Sequence, residues 1–368
     1  MSKNILIISP FYYPNIGGVE THLSDLTDIL VKQKHHVYVL TYNPITTPNT
    51  SYLSTENKPY LDIRRFQWFG KNLFHTIEKY PLFDFIYLTP YLLIQSFVWM
   101  MKNHQKIDTI HSQGINGAFI GVILSKIFGK KHITSTHAIY EHISRLSQRL
   151  STIIFNHTDT ILCLSNKSKE QLLTWGVRSN KIYLYRYWIN LKNFTPAKHA
   201  PTQFTVLYAG RLINKKGIPQ LLTAATRLPK IKFIFAGIGP SQSLVEKYSH
   251  QFPNINYLGP ISNQNMPNIY HLSSIFCLPS QYPEGYGRVV MESVASGLPV
   301  LGSNLGSIGE AVDSTVSILF SPTVKNIVSN INLLYKNKNT YYQLQKKCRP
   351  YALTHFGSKN FSLISRFY

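Results

Sequence analysis

One rhythm in this chain restricts its fold more than any other feature. Short apolar runs alternate with helix-length segments, and the pattern runs twice. The first half reads "ILIIS", "HVYVLTY", "IDTIHS", "KHITSTH" and "DTILCLS", each followed by a loop or an amphipathic stretch such as Val19 to Lys34. The second reads "FTVLYAG", "IKFIFAG", "INYLGP", "SIFCLPS", "PVLGS" and "SILF", with helix-like stretches at Ile218 to Arg227 and Val289 to Ser296. Strands that alternate with helices form parallel sheets covered on both faces. Two such series predict an α/β protein of two doubly wound domains, and 368 residues exceed what one core usually supports. The boundary is expected at "NFTPAKHAP", Asn193 to Pro201, where two prolines and polar residues interrupt the pattern. The opening "MSKNILIISPFYYP" reads as a buried first strand rather than a leader, because Pro10 ends its short apolar run.

Charge narrows the chemistry. Lys and Arg number 38 against 16 Asp and Glu, a formal net charge of +22. Such a surface attracts polyanions: nucleic acid, anionic lipid or phosphorylated substrates. Acids are scarce beyond residue 190, where only Glu246, Glu284, Glu292, Glu310 and Asp313 remain. Glu284 and Glu292 flank the glycine-containing stretch "YPEGYGRVVMES", which marks a site. Cys163, Cys277 and Cys348 are odd in number and far apart. They therefore read as buried thiols, not as a disulfide framework or a zinc site.

Open parallel sheets bind ligands beyond the carboxyl ends of their strands, so the loops after strands hold the candidate residues. In "NIGGVE", Gly17 and Gly18 let backbone amides approach an anion at a helix start; a plain tight turn is the alternative. The spacing fits neither a dinucleotide fingerprint nor a P-loop. In "THAIYE", His137 ends a strand, with Glu141 nearby. In "AGRLINKKG", Arg211 and Lys216 suit a diphosphate, the first as a planar fork and the second as a point charge. In the fourth loop Glu284 precedes a helix beginning near Arg288, and Glu292 lies about one turn inside it. Those two carboxylates are expected at different depths, not as a paired acid and base. Arg288 is expected either to contact a ligand or to be a surface charge.

The stretch "PEGYGRVVMESVASGLPV" resembles the signature of glycosyltransferase family 4, the retaining group 1 enzymes of GT-B fold. "GGVE", "THAIYE", "GRLINKKG" and "AGIGP" resemble further motifs of that family in the same order. The resemblance implies two Rossmann-like domains facing across a cleft: an acceptor-side domain over residues 1–194, a nucleotide-sugar domain over 195–350, and a C-terminal segment over 351–368 crossing back. It also implies roles. Arg211 and Lys216 would hold the diphosphate and stabilise the leaving group in place of a metal. Gly17 and Gly18 would complete the phosphate clamp. Glu292 would accept from the ribose hydroxyls. Glu284 would contact the donor sugar, assisted by Gly285, Tyr286 and Gly287. His137 would contact the sugar from the other domain, and the base would pack near Gly239 and Ile261. The donor would be a UDP- or GDP-linked sugar as co-substrate, with no other cofactor and no metal. The acceptor would be a glycan or a lipid-linked molecule in envelope or polysaccharide synthesis.

The remaining positive charge is expected to meet an anionic membrane surface, with a cytoplasmic, peripheral location. "IRRFQWFGKN", "KIFGKKH" and "HISRLSQRL" interleave basic with apolar residues, as interfacial helices do. The longest apolar run, Phe85 to Met101, is shorter than the ~20 residues a bilayer requires and reads as a buried helix. An inactive nucleotide-sugar-binding protein is the alternative. A phosphorolytic enzyme on this fold is disfavoured because nothing marks a cofactor lysine. A specific nucleic-acid partner is not expected, since no zinc spacing or RNP-type motif accompanies the charge.

Overall fold

Asn4–Ile8 is apolar on both faces, and the computed structural model buries it as the central strand of a sheet. The structure describes residues 2–47, 50–70, 73–77, 80–137, 139–140 and 144–368. The chain divides into two compact units, Met1–Arg186 with Phe361–Tyr368, and Tyr187–Asn360.

The first unit carries an eight-stranded sheet. Its strands are β1 (Asn4–Ile8), β2 (His36–Tyr42), β3 (Thr55–Lys58), β4 (Leu61–Phe66), β5 (Thr109–Gln113), β6 (Lys131–Thr136), β7 (Thr160–Cys163) and β8 (Ile182–Leu184). They lie in the order β3-β4-β2-β1-β5-β6-β7-β8. All neighbours are parallel except β3 and β4, which pair antiparallel at one edge. The helices are α1 (Gly18–Lys32), α2 (Leu73–Ile77), α3 (Pro81–Leu88), α4 (Pro90–Asn103), α5 (Gly114–Phe128), α6 (Arg145–His157) and α7 (Asn166–Thr174).

The second unit is an all-parallel six-stranded sheet. Its strands are β9 (Thr205–Ala209), β10 (Lys232–Ala236), β11 (Ile255–Tyr257), β12 (Ile275–Leu278), β13 (Val300–Ser303) and β14 (Ser317–Phe320). The order β11-β10-β9-β12-β13-β14 reverses direction between β9 and β12. That switch opens a crevice at the carboxyl ends of those two strands. Helices α8 (Ile218–Thr226), α9 (Gln242–Gln251), α10 (Met266–His271) and α11 (Arg288–Ala295) follow their strands.

Three expectations require correction. The division falls after Arg186, not after residue 194, because Trp188, Ile189 and Phe194 are all buried and bind within the second unit. Ile189 N–H donates to the Phe356 carbonyl, and Arg349 donates to that of Phe194. The long helix Lys338–His355 also stays in the second unit, so only Phe361–Tyr368 returns to the first. Next, "IRRFQW" is not an interfacial helix. Ile63 to Phe66 belong to β4, and Arg65 is buried, donating to the Tyr13 and Leu53 carbonyls. Last, the run from Phe85 to Met101 is not a buried helix. It lies within the helical stretch Pro81–Lys106, 26 residues that by length and composition alone are long and apolar enough to cross a membrane. Leu92, Ser96, Trp99 and Met100 face the core, while Ile86, Ile94, Val98 and Met101 are exposed.

Candidate functional site

In the second unit the site is built by the loops that follow β9 and β12. After β9, Gly210 adopts a φ of 144°, and the chain makes a short 3-10 turn over Asn214–Lys216. Gly217 then turns into α8 at a φ of 77°, where a Cβ would collide with the Pro279 carbonyl oxygen of the neighbouring loop. The Gln281 N–H donates to the Lys215 carbonyl at 2.7 Å and joins the two loops. Gly217→Ala combines left-handed strain with that collision. It is expected to destabilise the second unit by roughly 2–4 kcal/mol, read as a fall in the denaturation midpoint.

Within this junction Lys216 and Glu284 form a buried ion pair. Nζ lies 2.8 Å from Oε1 and 3.0 Å from Oε2. Ser280 Oγ donates to Oε1 at 2.5 Å and Tyr282 OH to Oε2 at 3.1 Å. Burial alone would raise the Glu284 pKa. The Lys216 ammonium and the hydrogen bonds from Lys216, Ser280 and Tyr282 outweigh burial and hold it below the ordinary carboxylate range. Lys216 is the mirror case: burial pulls its pKa down, and Glu284 raises it above the ordinary value. Arg211 is close enough to oppose that rise, and its carbonyl accepts from Tyr208 OH at 2.7 Å. The structure therefore brings Arg211, Lys216 and Glu284 together.

Glu284 is placed by its backbone. It bridges to Gly306, and its carbonyl accepts from the Ser307 N–H at 2.8 Å. At Gly306 any Cβ would collide with the Glu284 backbone. Gly285 and Tyr286 continue the loop. The Tyr286 ring is buried and its hydroxyl donates to the Glu310 carbonyl, so the side chain is structural. Gly287, at a φ of 68°, caps α11.

Glu292 lies one turn into α11 with different partners. Arg288 Nε donates to its Oε1 at 2.9 Å, and Tyr270 OH to its Oε2 at 3.0 Å. Arg288 is thus neither a surface charge nor a side chain pointing at solvent; it is buried against the helix it starts. A carboxylate has about four acceptor positions, so these two bonds leave room for more. Gly239 follows β10, where a Cβ would collide with the Leu212 carbonyl. The Leu212 N–H donates to the Ile238 carbonyl at 2.9 Å, which packs this turn onto the Arg211 loop. Ile261 lies in the loop after β11.

In the first unit Gly17 and Gly18 open α1, with Gly17 in extended backbone. The Glu20 carboxylate folds against Gly17, so an acid already occupies space over the first-turn amides. His137 follows β6. Its Nε2 lies 2.8 Å from Gln113 Oε1, at the end of β5, and its Nδ1 lies 3.4 Å from Tyr185 OH. The His22 ring packs against it at 6.0 Å. Burial lowers the His137 pKa to about 3. Glu141 lies outside the described residues.

Sequence reasoning missed Ser280, Tyr282, Tyr208 and Tyr270 around the two glutamates, and Gln113, Tyr185 and His22 around His137. Tyr282 stands two residues before Glu284 in the stretch already singled out. Tyr270 carries no motif at all.

Comparison with known proteins agrees with this architecture. A family description, glycosyltransferase family 4, matches residues 16–192, and a second, glycosyl transferases group 1, matches residues 191–354. The catalogued human protein of similar sequence, a phosphatidylinositol N-acetylglucosaminyltransferase component, is 25% identical over 347 residues, covering 90% of this chain and 68% of that protein. The sucrose-phosphate synthase of Thermosynechococcus elongatus superimposes with a TM-score of 0.82 at 19% identity, covering 98% of this chain and 97% of that one. Anabaena HepE in complex with UDP superimposes with a TM-score of 0.77 at 18% identity, covering 99% and 98%. With matches running from residue 16 to residue 354 and GT-B structures as its neighbours, the chain belongs to the group 1 glycosyltransferases of family 4 type.

Proposed function

We propose that this protein is a retaining, metal-independent transferase. It moves a sugar from a UDP- or GDP-linked donor to a lipid-linked or glycan acceptor. The observation that carries the reading is the Lys216–Glu284 pair, buried beside Arg211 at the β9/β12 switch point. Glu284 neutralises Lys216, so Arg211 supplies the net positive charge facing a diphosphate. As the bond from the anomeric carbon to the diphosphate oxygen breaks, negative charge grows on that phosphate. Arg211 and Lys216 are prealigned to stabilise it. The acceptor hydroxyl attacks from the same face and passes its proton to the departing phosphate, so no protein nucleophile is required. Glu284, held ionised, accepts from a donor-sugar hydroxyl, with Gly285 and Gly287 allowing close approach. Glu292 accepts from the ribose, and Gly239 and Ile261 border the base. Gly17 and Gly18 offer amides to the phosphates once Glu20 turns aside, and His137, neutral, contacts the sugar. A relative whose name specifies a phosphatidylinositol acceptor and a neighbour solved with UDP support a lipid-linked acceptor and a uridine donor.

The test is a thermal-shift titration with UDP, GDP and ADP, without and with Mg²⁺. A ligand that binds only the folded state raises the melting temperature, by about 2.7 kcal/mol of stabilisation at a hundredfold excess over Kd. A metal-independent rise with one nucleotide, lost in Arg211→Ala, is expected. No rise with any of them removes the donor site. A rise without turnover of any donor leaves a nucleotide-sugar-binding protein.

A further inference from the structure

Beyond the donor site, the first unit carries an apolar surface that the transfer reaction does not use. On α3 the side chains of Phe85, Tyr87 and Leu88 turn inward, while Leu82, Phe83 and Ile86 are 52%, 64% and 57% exposed. The sole acid of that helix, Asp84, turns toward Asn116 of α5. Around α3 further aromatic rings lie open: Phe69 packs edge-on against Tyr87, and Tyr80 against Phe83. On α6, Leu146, Leu150 and Ile153 recur at helical spacing and are all exposed, interleaved with exposed Arg145 and Arg149. The two helices belong to one layer. Phe85 of α3 stacks edge-on against Phe119 of α5 and shares an apolar cluster with Ile154 and Phe155 of α6.

Both α5 and α6 precede or follow parallel strands and run opposite to them, so the start of α6 lies at the carboxyl edge of the sheet, as does α3 beside the first turn of α5. We propose that this α3–α6 face docks on an anionic lipid bilayer, with Leu82, Phe83, Ile86, Leu146 and Leu150 entering the headgroup boundary and Arg145 and Arg149 meeting lipid phosphates. The composition fits that occupant: apolar and aromatic tips, two arginines, and no exposed acid on either helix among the described residues. A second copy of the chain fits worse. A two-fold contact would bring like arginines onto one patch, in chains that each carry a formal charge of +22.

The experiment is flotation of the full chain with vesicles of phosphatidylcholine alone or mixed with phosphatidylglycerol. The protein is expected to float with the anionic vesicles only. Leu82→Ser/Phe83→Ser/Ile86→Ser should lower the partition coefficient by at least about a hundredfold, from lost burial of three apolar side chains. Arg145→Gln/Arg149→Gln should abolish the preference for phosphatidylglycerol. Lys346→Gln/Lys347→Gln, on an exposed helix of the second unit, should change neither. Each variant is required to melt as the parent does and to keep its nucleotide-induced shift, so loss of docking is separable from loss of fold or donor site. The proposal is overturned if the parent protein does not float or floats equally with neutral vesicles. It is equally overturned if the Lys346 and Lys347 variant loses as much binding as the triple serine variant. A concentration-dependent dimer that vanishes in the triple serine variant, without flotation, would assign the face to self-association instead.

Discussion

Lys216→Ala is expected to lower the stability of the second unit by about 3–5 kcal/mol, because it leaves a buried carboxylate without its counter-ion. Glu284 would retain only the hydroxyls of Ser280 and Tyr282 among the hydrogen bonds that now hold it ionised. At roughly 2–4 °C per kcal/mol for a unit of this size, the melting temperature should fall by about 6–20 °C. The single variant cannot separate structure from catalysis, but the pair can. Lys216→Met combined with Glu284→Gln removes both charges and keeps much of the volume, so most of the lost stability should return. Transfer should not return: losing a preorganised group that faces the leaving phosphate costs about two to three orders of magnitude in rate. A double variant that regains stability and also transfers sugar would make the pair purely structural. A Lys216→Ala protein that melts like the parent would mean the pair contributes no net stability.

Why the site was partly legible follows from what decides each contact. Parallel strands buried on both faces are continuous apolar runs, so β1, β9, β10 and β12 stood out. Edge strands do not share that signature. β3 reads "TENK" and β4 reads "LDIRRF", and the burial of Arg65 hides the alternation of β4. Lys216 and Glu284 were each singled out from their loops, yet nothing in either loop says that they touch. They are 68 positions apart, and contact arises only because β9 and β12 are neighbours at the switch point. The Arg288–Glu292 pair was readable in principle, since it has the i, i+4 spacing of helical ion pairs. Tyr270 reaches Glu292 from another helix and leaves no trace in local sequence. The α3–α4 stretch misled for a related reason: mean apolarity does not say which face is covered, and only tertiary packing left Ile86, Ile94 and Val98 exposed.

Acid is expected to unfold the first unit well before any carboxylate titrates. His111, His132 and His137 lie on or just after the adjacent strands β5 and β6, and burial lowers each pKa to about 3. For His111 the neighbouring His137 and His132 add to that lowering. Their rings are held as neutral groups: His111 between Tyr368 OH and Ser135 Oγ, His132 on Ser112 Oγ, and His137 on Gln113. In the unfolded chain each takes up a proton near the ordinary value of about 6.5. The unfolded state therefore binds more protons than the folded state between pH 6.5 and about 3, and stability falls as pH falls through that window. Each histidine contributes up to about 1.4 kcal/mol per pH unit, so the three together should remove about 3–4 kcal/mol between pH 7 and pH 5.5. Glu284, with its lowered pKa, loses stabilising charge only below the unfolded glutamate range and does not act in that window. Tryptophan fluorescence follows the right unit, since Trp68, Trp99 and Trp175 lie in it and only Trp188 lies in the other. Urea midpoints measured from pH 7 to pH 5.5 should drop steeply, and His111→Gln should remove about a third of the slope even if it lowers stability at pH 7. Midpoints that stay level across that range would show that the three rings are protonated in the folded protein as readily as in the unfolded chain, and the neutral histidine cluster would then be wrong.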